Sequence, residues 1–235
     1  MKPDPQRPAD TTMMGVVHDA YRRDLERARQ ALTTAPYPEG ERRKAIGEHV
    51  QWLMEILHAH HTGEDDGLWP LVLRRNPDSA AILEIMDADH ARIAPAMEGL
   101  TNAARDYAEN DTEAARTDLI TALDALSEVV LPHLRREEDE AMPVVSASIT
   151  AAEWDAWDQE HNVKPKSVRQ LGKEGHWIID GLDPDRYQVV IHLLPPIPRF
   201  IVLKAFAPGY RRRATTLWGP GEYGPATAKA NGNSG

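Results

Sequence analysis

Two stretches of the chain place a histidine and a glutamate four residues apart: His60 with Glu64, and His133 with Glu137. In a helix, residues at this spacing lie on the same face, one turn apart. A neutral imidazole and a carboxylate so placed can bind one metal ion or two adjacent ions, and this ligand combination suits iron, manganese or zinc. Because a carboxylate has two oxygens, each glutamate is able to bridge two ions.

These two stretches belong to an internal repeat. The segment 60–70 recurs as 133–143, at an offset of 73 residues, with His, Glu, Asp and Pro matching in place. Two further histidines, His18 and His90, are separated by a similar offset of 72 residues. The near-equal offsets predict two helical hairpins related by a pseudo-twofold axis, which suits a site for two metal ions.

The periodicity of apolar residues predicts the elements that carry these side chains. Short segments containing Pro, Gly or Asn interrupt a helical pattern that runs from about residue 11 to residue 145. The predicted helices cover about residues 11–34, 39–73, 78–109 and 112–146. Because the connections are short, we predict an all-α fold, an up-down-up-down four-helix bundle made of two pseudo-symmetric hairpins.

Apolar residues recur in these helices at alternating steps of three and four, which predicts stripes that face the core. Near the ends of the second and fourth helices, Leu71 and Val144 are the predicted buried positions. Six polar residues also occupy the stripes: His18, His60, Glu64, His90, His133 and Glu137. Burying an unpaired carboxylate costs roughly several kcal/mol. A metal centre is the simplest common explanation, with His18 and His60 on one ion and His90 and His133 on the other.

The composition excludes several other kinds of site. The chain has no cysteine, which rules out disulfides, thiolate zinc sites and iron–sulfur clusters. Its formal net charge of −10 disfavours nucleic-acid binding. No stretch approaches the roughly 18 consecutive apolar residues of a membrane span. The first ten residues carry no apolar signal segment, so we expect a cytoplasmic protein.

Over about residues 11–146 the sequence resembles the hemerythrin-like (HHE cation-binding) family. The resemblance rests on His18, on the segment 60–70, on His90 and on the segment 133–143. It implies two iron ions, bridged by carboxylates and an oxo or hydroxo group, that react with dioxygen, peroxide or nitric oxide. The oxygen carriers of this family have a second histidine one turn after the third-helix histidine, where this chain has Ala94. That difference favours peroxide decomposition or an oxidative-stress response over reversible oxygen carriage.

The assignment of the fourth-helix carboxylate stays open between two adjacent residues. The repeat favours Glu137, whereas the oxygen carriers have their carboxylate five residues after the histidine, at Glu138 here. Further candidates, as additional ligands or as hydrogen-bond partners of ligands, are Glu138, Asp65, Tyr21 and His61. His49 and His58 lie outside the stripes, and His49 is expected at the surface. A ferritin-type site needs two Glu-x-x-His copies, and Glu55 with His58 provides only one.

The ends of the chain are expected to differ from the bundle. We predict a flexible leader over residues 1–10, a helical C-terminal extension over 147–218 and a disordered tail over 219–235. The basic segment 210–213 could bind a protein partner or an anionic surface, although a helical cap on the bundle is the simpler interpretation. Two functions remain: an enzyme that decomposes peroxide, and a sensor or store for oxygen, nitric oxide or iron without turnover.

Overall fold

A computed structural model of the chain describes residues 4–193, 199–200, 202–221 and 223–224. Every regular element within these ranges is helical, apart from one isolated bridge between Pro8 and Thr150, so the predicted all-α fold is confirmed. The α-helices with described bounds are α1 (Thr12–Thr33), α2 (Gly40–Gly63), α3 (Trp69–Arg75), α4 (Ala80–Glu109), α5 (Glu113–Arg136), α6 (Met142–Ser148), α7 (Ala151–Asp158), α8 (Val168–Ile179), α9 (Pro184–Leu193) and α10 (Ala207–Trp218).

The chain divides into two compact units, Met1–Lys166 and Ser167–Gly235. In the first unit, the four long helices pack as a bundle in the ring order α1–α2–α4–α5. Short connections make each helix antiparallel to its neighbour in the sequence. The first unit runs past the predicted end of the bundle, because α7 and the turn that follows it also belong to it.

The predicted stripes of α1 and α4 are buried along their whole length, from Met14 to Leu32 and from Met86 to Ala104. The stripes of the second and fourth helices are buried as predicted only up to Leu68 and Ala141. Beyond those points the prediction was wrong by one position, since Val72 and Val145 are fully buried where Leu71 and Val144 were expected.

Two π turns cause this shift. They are the first π turn (Glu64–Leu68) and the second π turn (Glu137–Ala141), which join α2 to α3 and α5 to α6. Each is followed by a proline, Pro70 or Pro143, that lacks an N–H and whose ring would clash with the carbonyl four residues earlier. The preceding residues, Trp69 and Met142, instead bond through their backbone N–H to the carbonyl five residues back. The extra residue in each turn advances the buried stripe by one position.

Residues before α1 and after α6 meet beyond the two π turns. Residues 5–9, within the predicted flexible leader, make backbone hydrogen bonds with residues 149–152. Trp157 of α7 donates its indole N–H to the carbonyl oxygen of Gly63 at 2.8 Å. A buried apolar cluster fills this end of the unit: Ala9, Met14, Leu68, Trp69, Val72, Leu83, Met86, Ala141, Met142, Val145, Ile149, Trp154 and Trp157.

A buried ion pair lies inside the bundle, farther from this apolar cluster than His18 and His60 are. It joins α1 to α2 on the other side of those two histidines. His49 was predicted at the surface, but it is only 3 % exposed and its Nε2 lies 2.8 Å from Asp24 Oδ2. Arg23 donates to the other oxygen of Asp24 at 2.8 Å. Hydrogen bonds with His49 and the positive charge of Arg23 overcome the effect of burial and hold the pKa of Asp24 far below its usual value.

The second unit is also helical. Ser167 begins α8 with a reciprocal capping box formed with Gln170, which satisfies two backbone N–H groups. The hydroxyl of Tyr210 in α10 donates to Asp180 Oδ2 at 3.1 Å. Across the described residues, no helix combines the length and apolar character needed to span a membrane. The predicted disordered tail lies largely outside the described residues.

Candidate metal centre

The structure brings the six stripe histidines and glutamates to one level of the bundle. His18 and His90 lie on α1 and α4, whereas His60 and His133 lie in the last turns of α2 and α5. The glutamates of both repeats are the first residues of the π turns. All six side chains are buried: His18, His60, Glu64, His90, His133 and Glu137.

The four histidines form the two pairs that the sequence predicted. The Nε2 atoms of His18 and His60 lie 3.3 Å apart, and those of His90 and His133 lie 3.2 Å apart. The Nε2 atoms therefore converge in the interior, with one pair on each side of the pseudo-twofold axis. Imidazole nitrogens at such distances are spaced for adjacent positions on one metal ion.

Glu64 lies between the two pairs. Its Oε1 is 3.2 Å from Nε2 of His60, and its Oε2 is 3.5 Å from Nε2 of His90. Each oxygen thus faces an imidazole of a different pair, which is the arrangement expected of a carboxylate that bridges two ions.

Glu137 occupies the equivalent position in the second repeat. Its Oε2 is 3.4 Å from Nε2 of His18 and 3.6 Å from Nε2 of His133. Both glutamates are 0 % exposed, and none of their four oxygens has a hydrogen-bond partner among the described residues. Two buried carboxylates with no hydrogen-bond donor need a positive charge to neutralise them.

Burial changes the proton affinity of both glutamates and of two of the histidines. Burial, together with the negative charge of Glu137, raises the pKa of Glu64 well above its usual value, and burial also raises the pKa of Glu137. Burial and the neighbouring imidazoles lower the pKa of His60 well below its usual value, and the same causes lower the pKa of His133 to about 3. The imidazoles of His60 and His133 are therefore neutral at neutral pH, which is the form that binds metal.

Two carboxylates hold histidine rings from outside. Nδ1 of His18 lies 2.7 Å from Oε1 of Glu138, and Nδ1 of His90 lies 2.7 Å from Oδ1 of Asp65. Arg22 donates to the same oxygen of Glu138 at 2.8 Å. A carboxylate on the outer nitrogen holds the proton there and directs the Nε2 lone pair inward, as in many metal sites. Glu138 is thus placed behind His18, while Glu137 faces the interior.

Asp89 is a further carboxylate near the site that sequence reasoning missed. Its Oδ2 lies 3.7 Å from Nδ1 of His133, too far for a hydrogen bond, and two arginines, Arg92 and Arg136, bind it. These residues line a cavity of about 170 Å³ that reaches His133. The only sequence signal for Asp89 is its position just before His90. The equivalent residue of the first hairpin is Val17.

The remaining candidates lie close to the ligand layer, which is the level of the bundle that holds the six buried histidines and glutamates, or outside it. His61, predicted as an additional residue, is buried, and its ring stacks on that of His90 with 4.1 Å between centroids. Tyr21 is also buried, with its ring 6.1 Å from the ring of His60. Ala94 and His58 are exposed.

The donor set fits a pair of metal ions. In the described part of the chain, two groups bring three possible ligand atoms within 4.8 Å of one another: His18 with His60 and Glu137, and His61 with His90 and His133. Imidazole nitrogens and carboxylate oxygens suit iron, manganese and zinc. Glu137 thus belongs to the first group, and the oxygens of Glu64 face one imidazole of each histidine pair.

A four-helix bundle with two facing sets of buried histidines and carboxylates defines a metal-binding bundle protein. Comparison with known protein families matches residues 10–145 to the hemerythrin HHE cation binding domain, and the chain belongs to this family. No curated protein and no solved structure gives a significant match.

Proposed function

We propose that the protein binds two iron ions in this site and decomposes hydrogen peroxide. The observation that carries the proposal is the placement of Glu64 and Glu137. Each is fully buried, contacts one imidazole of each pair, and has no hydrogen-bond donor among the described residues. Two bridging carboxylates hold metal ions close together, as two-electron chemistry at a shared substrate requires.

The reaction is balanced with peroxide alone. One peroxide molecule accepts two electrons and two protons and becomes two molecules of water. A second molecule gives up two electrons and two protons and becomes dioxygen. When bound, the iron pair supplies the reversible redox change that stores the two electrons between these halves.

The ligand count leaves room for the substrate. Two imidazoles and one oxygen from each glutamate would give each ion about four protein ligands, fewer than the six that iron commonly takes. Open positions are typical of reactive metal sites. Buried apolar residues one turn away exclude bulk water on both sides of the ligand layer: Leu57, Ile93, Val130, Leu68 and Ala141. The site therefore favours a small oxidant over a large substrate.

Glu138 and Asp65 have two roles in this proposal. Each holds the Nδ1 proton of a histidine, His18 or His90, and so fixes which nitrogen faces the ions. Their side chains are also partly exposed, 27 % for Glu138 and 35 % for Asp65. Among the residues around the site, they are placed to pass protons between solvent and the ligand layer.

The test is dioxygen evolution from hydrogen peroxide by iron-loaded protein, measured with an oxygen electrode alongside metal analysis. We expect about two irons per chain and evolution well above that of the same concentration of free iron. His90→Ala should remove both, whereas His58→Ala, which changes an exposed histidine of α2, should leave both unchanged. Evolution no faster than with free iron, at full iron content, would refute peroxide decomposition.

A second candidate function is a sensor of oxygen or nitric oxide without turnover. The contact that favours it is the 2.8 Å hydrogen bond from Trp157 to the carbonyl of Gly63, the residue before Glu64. A shift of Glu64 on ligand binding would reach α7 through this bond. An absorption change that reverses when the gas is removed, together with altered protease sensitivity after residue 150, would support this function. The exposed Arg211 and Arg212 of α10 are the proposed contact for a protein partner.

A further inference from the structure

His61 is a buried histidine that the six-residue ligand set does not use. It is 6 % exposed, and its Nε2 has no hydrogen-bond partner in the described part of the chain. A buried polar atom without a partner is costly, since burial removes its hydrogen bond to water. The cost of burying this unpartnered imidazole beside the candidate metal centre therefore indicates that His61 has a function there.

The position of His61 relates it to one half of the centre. Its ring is stacked on that of His90, with 4.1 Å between centroids and 15° between planes, and it meets the ring of His133 edge-on at 5.3 Å. The possible ligand atoms of the three histidines lie within 4.8 Å of one another. Metal–imidazole bonds are about 2.0–2.1 Å long, so two such nitrogens on one ion lie about 3–4 Å apart. Binding to one ion would therefore bring the His61 ring closer to the other two rings.

The repeat shows that this imidazole is present in one half only. The residue equivalent to His61, 73 positions later, is Leu134. In the same half, Asp89 adds a carboxylate near His133 where the first hairpin has Val17. The second half of the centre is therefore richer in imidazole, whereas the charge of Asp89 is offset by Arg92 and Arg136.

Helix α4, which carries His90, cannot supply this third imidazole. Ala94, one turn after His90, is exposed, whereas Ile93 is the residue of α4 that faces the core there. A side chain at position 94 would point away from the centre. The imidazole next to His90 and His133 comes instead from α2.

We propose that His61 is a further metal ligand, so that the position between His90 and His133 receives three imidazoles and the position between His18 and His60 receives two. The two metal positions then differ in affinity, and the first ion to bind occupies the three-imidazole position. The inference rests on the proposed two-metal site but not on peroxide chemistry.

The test compares His61→Leu with the wild type in anaerobic titrations with ferrous iron, followed by Mössbauer spectroscopy. Leucine is the residue at the equivalent position of the other repeat, so its volume suits a bundle core. We expect the wild type to bind two ions in separate steps and to show two iron signals of equal area. His61→Leu should weaken the tighter step at least about tenfold, the usual lower effect of losing a group around a metal, and bring the two signals together.

His58→Leu is the matched control, since it removes an exposed histidine from the same helix, and it should behave as the wild type. His61→Gln provides a second variant with a polar side chain, and circular dichroism checks that each variant is folded. Full binding of both ions by His61→Leu and His61→Gln, with unchanged affinities and spectra, would overturn the role of His61 and leave the two-metal site intact. Failure of the wild type to bind iron would overturn both.

Discussion

Replacing Glu137 and Glu138, which are neighbours in the sequence, should change the stability of the metal-free protein in opposite directions. Glu137 is 0 % exposed, and neither of its oxygens has a hydrogen-bond partner among the described residues. Glu137→Gln keeps the shape of the side chain and removes the charge. Because burying an unpaired carboxylate costs roughly several kcal/mol and burying a neutral amide costs less, we expect the free energy of unfolding to rise by about 1–3 kcal/mol at neutral pH.

Glu138 has partners and should behave differently. It bonds to Nδ1 of His18 at 2.7 Å and accepts from Arg22 at 2.8 Å, and these bonds keep its pKa below the usual value although burial acts to raise it. Hydrogen bonds to charged groups contribute about 1.5–3 kcal/mol each. Glu138 is partly exposed and Arg22 also bonds to Asp19, so we expect Glu138→Gln to cost a net of about 1–2 kcal/mol.

Metal binding should reverse the order of the two variants. Glu137→Gln removes a bridging oxygen, so we expect it to lose most of its metal affinity. Glu138→Gln leaves every proposed ligand of the six-residue set in place and should weaken binding by about 10–100-fold, because it loosens the ring of His18. Urea unfolding of chelator-treated and iron-loaded protein measures both effects. Loss of metal binding in Glu138→Gln alone, or equal destabilisation by both changes, would refute the assignment of Glu137 as the bridge.

Two other predictions follow from the same region. Gly67→Ala should lower the free energy of unfolding by about 1–3 kcal/mol, because a Cβ there would overlap His161. Gly99 has open space around it, so Gly99→Ala should raise the free energy of unfolding by up to about 1 kcal/mol. Equal effects of the two changes in urea unfolding would contradict this packing. The pKa values of Glu64 and Glu137 are raised in the metal-free fold, so the folded state holds more protons than the unfolded state. The metal-free wild type should therefore lose stability relative to Glu137→Gln as pH rises above about 4.5; a pH-independent difference would contradict it.

The sequence was sufficient for most of the fold, because periodicity reports directly on which residues face a core. It predicted the buried stripes of α1 and α4 and the ring of four helices, since these elements are long and regular. It also indicated the ligand candidates, because histidines and glutamates in an apolar stripe conflict with the cost of burying them.

The residues that sequence reasoning missed lie beside the stripes. His49 is buried against its partner Asp24, which lies on a different helix. No local sequence pattern shows a pair between two helices. Asp89, which was missed, immediately precedes His90, just as the predicted candidate His61 immediately follows His60, and the rotation of each helix decides whether such neighbours reach the core. The sequence shows that the other repeat has no equivalent histidine or aspartate. This difference can be interpreted only when the structure gives the positions of the imidazole rings.

The two π turns also separate the bundle into layers whose rotation is set independently. An α-helix turns by about 100° per residue, so the single extra residue in each turn rotates α3 and α6 by that amount relative to the ligand layer. The glutamates can therefore face the metal position while Val72 and Val145 face the apolar cluster beyond it. The number of residues between the glutamate and the proline is thus a stricter requirement than their identities. We expect substitutions in these turns to be tolerated far better than single-residue deletions. A deletion would rotate the buried faces of α3 and α6 out of the core.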